Sequence, residues 1–237
     1  MKALFLALVI ALPGVARADA DVDAALANFS ADQKAVAQQR LDGLVAAGLA
    51  RASAVDRVQE WQAKGADAAR VLDLLESLRL AAVDGRAALV EAGLTPAPAL
   101  VESAASARLA GVEKAPLSRA LRGSTTVDEA AGRCLALSTL ASSGFAVPAA
   151  AEVVALAAER GYSRTDLSSL VSSAQRLARE GAVPREVLLG QVGSALRRGA
   201  RPAELYPAVV HAIGNAGAAR PAPEAGYNRG VPRTGGF

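Results

Sequence analysis

The segment GFAVPAAAEVVALAAERG, residues 144–161, followed by YSRTD, residues 162–166, decides the fold. Glycine stands at both ends. Pro148 follows the first glycine, and proline suits the first helical turn because its missing N–H has no partner there anyway. Between the glycines the segment is mostly Ala, Leu and Glu, which are strong helix formers. After Gly161, Ser163-Arg164-Thr165-Asp166 has the form of a capping box, in which the serine accepts from the backbone three residues on and the fourth residue reaches back. The segment therefore predicts a helix, a glycine turn and the start of a second helix.

The same pattern runs through the chain. Glycines fall in pairs: Gly48 and Gly65, Gly93 and Gly111, Gly144 and Gly161, Gly181 and Gly199. Helix starts are signalled after the first member by Ser53, by Pro96 or Pro98, by Pro148 and by Pro184. After the second member they are signalled by Asp67, Pro116, Ser163 and Pro202. Ser30 to Gln33 and Thr126 to Glu129 have the form of further capping boxes. Short helices are marginal alone in water, so these must pack on their neighbours. The fold class expected is all-α: an irregular, α-solenoid-like array of short antiparallel helical hairpins, or a compact helical bundle. The two share the same helices and differ in whether the ends meet. The pairs begin at unequal intervals, and the longer first two units are expected to hold an added short helix, with the turn-rich span 123–126 as a divider. The signature residues of tetratricopeptide, ankyrin and leucine-rich repeats are absent.

Composition agrees. Apolar residues make up 52% of the chain and aromatic ones only 3%, so the core must be built from Ala, Leu and Val. Expected apolar stripes are Val36, Leu41, Leu44 and Val45; Val55, Val58 and Trp61; Val71, Leu74, Leu75 and Leu78; and Leu167, Leu170, Val171 and Leu177. Gly190 and Gly193 are expected to permit close helix packing. Ser168, Ser169, Ser172 and Ser173 share one helix side, either for close approach of another helix or as a polar strip for a partner. Tyr206-Pro207 places a proline inside the last helix, where it removes a backbone bond.

The two ends differ from the middle. Residues 1–18 read as a signal peptide: Lys2, an apolar run over 3–12, the breakers Pro13 and Gly14, then small residues at positions 16 and 18. Cleavage is expected between Ala18 and Asp19, which exports the protein to the periplasm or beyond. The apolar run is shorter than the ~20 residues a membrane span needs, and no transmembrane span is expected after cleavage. Residues 19–47 read as a helical lead-in, 48–214 as the hairpin domain, and 215–237 as a disordered Gly/Pro/Arg tail. Cys134 is the only cysteine, so no internal disulfide forms, and its apolar surroundings predict a buried, inert thiol.

Charge is segregated along the chain. Residues 19–159 carry 13 basic and 18 acidic side chains, whereas residues 160–237 carry 11 and 5. Arg176, Arg179, Arg185, Arg197, Arg198 and Arg201 form the densest basic run and the candidate surface for an anionic partner. They lack the interleaved aromatics on which single-stranded nucleic acids stack, so nucleic acid is not the expected partner. Another protein or an anionic envelope component is.

No catalytic set is recognisable. His211 is the only histidine and lacks neighbours at metal-ligand spacing. There is no GxSxG elbow and no phosphate loop, and Asp128-Glu129 is explained by the first turn of a helix. No cofactor and no metal is expected. The function expected is an exported, non-enzymatic interaction or scaffold module of the cell envelope. A peripheral binder of anionic polymer or lipid through the basic C-terminal half is the alternative, and an enzyme using carboxylates from separate helices the second one.

Overall fold

A computed structural model describes residues 21–181 and 183–218, the last four by their backbone alone. The expected signal peptide, its Ala18–Asp19 junction and the tail from residue 219 lie outside the described residues. Among the described residues there are helices and no strands. A helical turn over 21–25 precedes α1 (Ala31–Ala47), α2 (Arg51–Ala63), α3 (Ala68–Glu91), α4 (Pro98–Leu109) and α5 (Lys114–Leu121). Then follow α6 (Val127–Ser142), α7 (Val147–Glu159), α8 (Arg164–Glu180), α9 (Arg185–Arg197) and α10 (Pro202–Ala218). The all-α fold expected from the sequence is the one observed.

The paired glycines end the helices by one shared device. At Gly48, φ is 103°, its N–H donates to Val45 O at 2.9 Å, and the Leu49 N–H donates to Leu44 O at 3.0 Å. This is a Schellman turn: the left-handed residue folds the chain back so that two otherwise orphaned carbonyls gain donors. The same pair of bonds recurs at Gly65, Gly93, Gly111, Gly144, Gly161 and Gly199. The residue after the glycine then turns inward, and Leu49, Val112, Phe145 and Tyr162 are buried. Each turn thus ends one helix and anchors the next to the core.

The helix starts follow the sequence signals closely. Ser30 with Gln33 and Ser163 with Asp166 form complete capping boxes. Thr126 caps α6 by accepting from Glu129 N, but the Glu129 carboxylate reaches one residue further back, to Thr125 N at 2.8 Å and Thr125 Oγ1 at 3.1 Å. These bonds, the Thr125 backbone first, hold the Glu129 carboxyl below its ordinary pKa. Pro184 is the cap residue of α9 rather than its first helical residue, and Ser53 lies inside α2, whose cap is Ala50.

Every substantial helix–helix packing among the described residues joins elements one or two apart in the chain. α1 packs on α3, α3 on α4 and α5, α4 on α6, α5 on α7, α6 on α8, α7 on α9, and α8 and α9 on α10. Buried side chains from Val22 to Val209 form one continuous cluster. Its largest fully enclosed members are all leucines, among them Leu41, Leu75, Leu100, Leu137 and Leu170. Burying each contributes roughly 1.5–3 kcal/mol.

Arginines close the open carbonyl ends of neighbouring helices. Arg86 Nη1 donates to Ala46 O near the end of α1 at 3.0 Å, Arg133 Nη1 to Arg122 O after α5 at 2.8 Å, and Arg160 Nη2 to Arg197 O of α9 at 2.8 Å. A cation there satisfies orphan acceptors and complements the negative end of the helix dipole. Part of the basic composition is therefore structural.

Several expectations need correction. On α1 the buried stripe is Ala37, Leu41, Leu44 and Ala47, while Val36 and Val45 are exposed. The extra length of the first unit lengthens α3 to 24 residues rather than adding a helix, whereas the second unit does hold the added α5. A Cβ on Gly190 would meet nothing within 4 Å, and one on Gly193 only ordinary contacts, so neither marks a close crossing. Gly85 and Gly132 do. Ser168, Ser169 and Ser172 face solvent, not another helix. The helix of α10 continues to Ala218, past the end expected at residue 214, with Pro207 inside it.

Candidate functional site

The six arginines singled out in the sequence do not share one place. α9 carries Arg185 at its start and Arg197 at its end, which at 1.5 Å per residue sets them about 18 Å apart along the helix. They divide into three environments.

Arg176 is consumed in joining α8 to α10. Its Nε bonds the Glu180 carboxylate at 2.8 Å, and its guanidinium lies 4.5 Å from the centroid of the Tyr206 ring. The Tyr206 hydroxyl donates to the same carboxylate, 3.1 Å from Oε2. The bond from Arg176, and then that from Tyr206, holds Glu180 below the ordinary carboxylate range. The bond to Glu180 raises Arg176 in turn, and burial raises Tyr206.

Arg197 pairs with Glu152 of α7 by a hydrogen-bonded ion pair. Its backbone carbonyl receives Arg160, which the sequence run did not include. Arg198 caps the end of α9, and Arg201 precedes α10 with its backbone N–H on Glu204 Oε2 at 3.2 Å. Tyr162 anchors the same region through its hydroxyl on Ala200 O at 2.9 Å. Burial pushes the Tyr162 phenol above its ordinary pKa, and the charges of Asp166 and Glu204 add to this.

Arg179 and Arg185 come together. They line a groove of about 600 Å³ with Ser142, Ser143, Gly144, Phe145, Gln175 and Ala178. The groove lies where the end of α6, the end of α8 and the start of α9 meet. Its floor is tied by Gln175 Nε2 on Ser143 Oγ at 2.8 Å, and Ser143 Oγ in turn donates to Thr139 O at 2.7 Å. Arg179 Nε donates weakly to Gln175 O at 3.3 Å. Gly144 has two reasons to be glycine here. Its φ is 80°, and a Cβ would stand 3.1 Å from Arg185 Nη1. Among the described residues neither Arg179 nor Arg185 has an ion-pair partner. Two uncompensated guanidinium groups, a hydroxyl and an amide around one concavity can receive carboxylate or phosphate oxygens.

The remaining candidates for chemistry are placed as follows. Cys134 is fully buried on α6, and burial pushes its thiol up to about 12. His211 is on an exposed face of α10. Among the described residues no cluster of three or more His, Cys, Asp or Glu could hold a metal ion, and no helix is long and apolar enough to cross a membrane. Asp128 of the Asp128-Glu129 pair bonds Arg164 at 2.7 Å, a link between α6 and α8. The sequence did not reveal a second basic concavity beneath α5, built on Arg133. Its signal is a three-dimensional one: Arg119, Arg122 and Arg133 are brought to one place by a turn. No protein-family model, curated protein or solved structure matches the chain.

Proposed function

We propose that this protein is a non-enzymatic binding module, an array of helical hairpins that holds an acidic segment of another protein in the Arg179/Arg185 groove. The observation that carries this reading is two guanidinium groups, without carboxylate partners among the described residues, in one groove of about 600 Å³. The array reading is supported by the substantial helix packings among the described residues, which reach no further than two elements along the chain, as in solenoids. The signal-like residues 1–18 support export, and hence a partner in the cell envelope or outside it.

The test is fluorescence anisotropy with a labelled peptide of ten glutamates. Binding to the wild type that weakens with salt, and weakens about tenfold or more in Arg179→Ala and Arg185→Ala, supports the reading, since a charged hydrogen bond is worth roughly 1.5–3 kcal/mol. Equal affinity in wild type and variants overturns it. The alternative, attachment to anionic lipid or polymer, is favoured by the exposed Arg198 and Arg201 beside Arg160 at the far end of α9. It predicts co-sedimentation with phosphatidylglycerol vesicles that Arg198→Ala and Arg201→Ala weaken and Arg179→Ala does not.

A further inference from the structure

Arg133 is 8% exposed and yet has no carboxylate within ion-pair distance among the described residues. A guanidinium carries its charge at all ordinary pH values, and a buried charge needs compensation. Two bonds, to Ala120 O at 3.3 Å and Arg122 O at 2.8 Å, occupy Nη1. Nε and Nη2 make no hydrogen bond among the described residues, and the side chain lines a pocket of about 390 Å³. Arg119 and Arg122 line the same pocket and likewise have no ion-pair partner among the described residues. Of the two carboxylates there, Glu152 is neutralised by Arg197, which leaves Glu159 against three guanidinium groups. Ala155, Leu156 and Ala158 of α7 supply an apolar wall.

We propose that this pocket binds a small organic phosphate, with the phosphate held among Arg119, Arg122 and Arg133 and the organic part against α7. Three guanidinium forks match the several oxygens of a phosphate monoester, each able to give two parallel bonds. The volume falls in the range of small-molecule sites and exceeds what a bare ion needs. Burial holds the Arg133 pKa below the ordinary arginine value, with the Glu129 charge opposing the shift. A bound dianion would add to the partial compensation that the helix-end carbonyls and the Glu129 charge already give. The site is distinct from the Arg179/Arg185 groove and does not depend on it.

Isothermal titration with glycerol 3-phosphate, inorganic phosphate and glycerol tests this. The expected result is a Kd for glycerol 3-phosphate below about 1 mM, weaker binding of inorganic phosphate, and no heat with glycerol. Arg119→Ala with Arg122→Ala, both exposed and so compatible with folding, should weaken the ester at least about tenfold. Arg133→Lys keeps the charge but not the fork and should weaken it too, with the fold checked by circular dichroism. Arg179→Ala with Arg185→Ala should leave this affinity unchanged. No binding of either phosphate at about 10 mM overturns the proposal. So does affinity unchanged in Arg119→Ala with Arg122→Ala, or binding only to phosphatidylglycerol vesicles, which would indicate a membrane surface instead.

Discussion

Gly85 on α3 lies so close to Ala104 on α4 that a Cβ at position 85 would stand 3.0 Å from both the Ala104 carbonyl carbon and its Cβ. The crossing belongs to the most extensive helix packing among the described residues. Backbone approach past small side chains is how a core with few aromatic rings is filled. Gly85→Ala should therefore cost about 1–3 kcal/mol, the usual range for overpacking. Gly190→Ala, where a Cβ meets nothing, should be neutral or stabilising by up to about 1 kcal/mol through helix propensity. Urea unfolding of the two variants checks the contrast, and equal losses would contradict it.

The turn glycines give a second contrast. Gly93 and Gly144 have nearly the same left-handed geometry, φ 81° and 80°. Replacing either by alanine should cost about 1–2 kcal/mol. Only position 144 touches a functional group, because its Cβ would approach Arg185 Nη1. Gly144→Ala should thus also lower affinity for the glutamate peptide, while Gly93→Ala should not. Thermal melts and anisotropy on the same samples read both effects.

The Cys134 thiol, pushed up to about 12 by burial from an ordinary 9.0, should be inert in the folded protein. At pH 8 that leaves roughly one thiolate in ten thousand. A thiol-specific chromogenic disulfide should therefore label no cysteine in the native state and one per chain in guanidinium. The sign of the pH effect follows from the direction of the shift. The folded pKa lies above the unfolded one, so this contribution to stability is complete below about pH 9 and is lost as pH rises towards 12. Unfolding midpoints should fall between pH 8 and pH 11, and fall less in Cys134→Ala.

Export makes a prediction that needs no structure. The protein recovered from the producing cell's envelope or medium should begin Asp19-Ala20-Asp21-Val22, and Ala18→Leu should retain the longer chain. Terminal sequencing of the purified protein decides it. A product that still begins at Met1 would contradict the export reading.

The turns were legible and the crossings were not, for a physical reason. A glycine at a helix end is required by its own backbone: all eight paired glycines have positive φ. A glycine inside a helix is explained only by what lies opposite. Gly85 faces Ala104 and Gly190 faces nothing, yet both sit inside helices. Alanine blurs the apolar stripes in the same way. It is equally at home in the core and on a helix surface, so Val36 and Val45 drew attention that belonged to Ala37 and Ala47. In the basic run, sequence proximity brought Arg176 and Arg179 together, but it could not tell that Glu180 and Tyr206 take up the first while Arg185 joins the second. Arg133 left no trace because its neighbours, Arg119 and Arg122, reach it through a turn.

The central claim is that the Arg179/Arg185 groove is the binding surface. Its most direct test is the affinity of the labelled glutamate peptide for wild type and for Arg179→Ala with Arg185→Ala, measured across a series of salt concentrations. The account predicts that the wild type binds with an affinity that falls steeply as salt rises, and that the double variant binds far more weakly with a flatter salt dependence. Identical curves for the two proteins would contradict it.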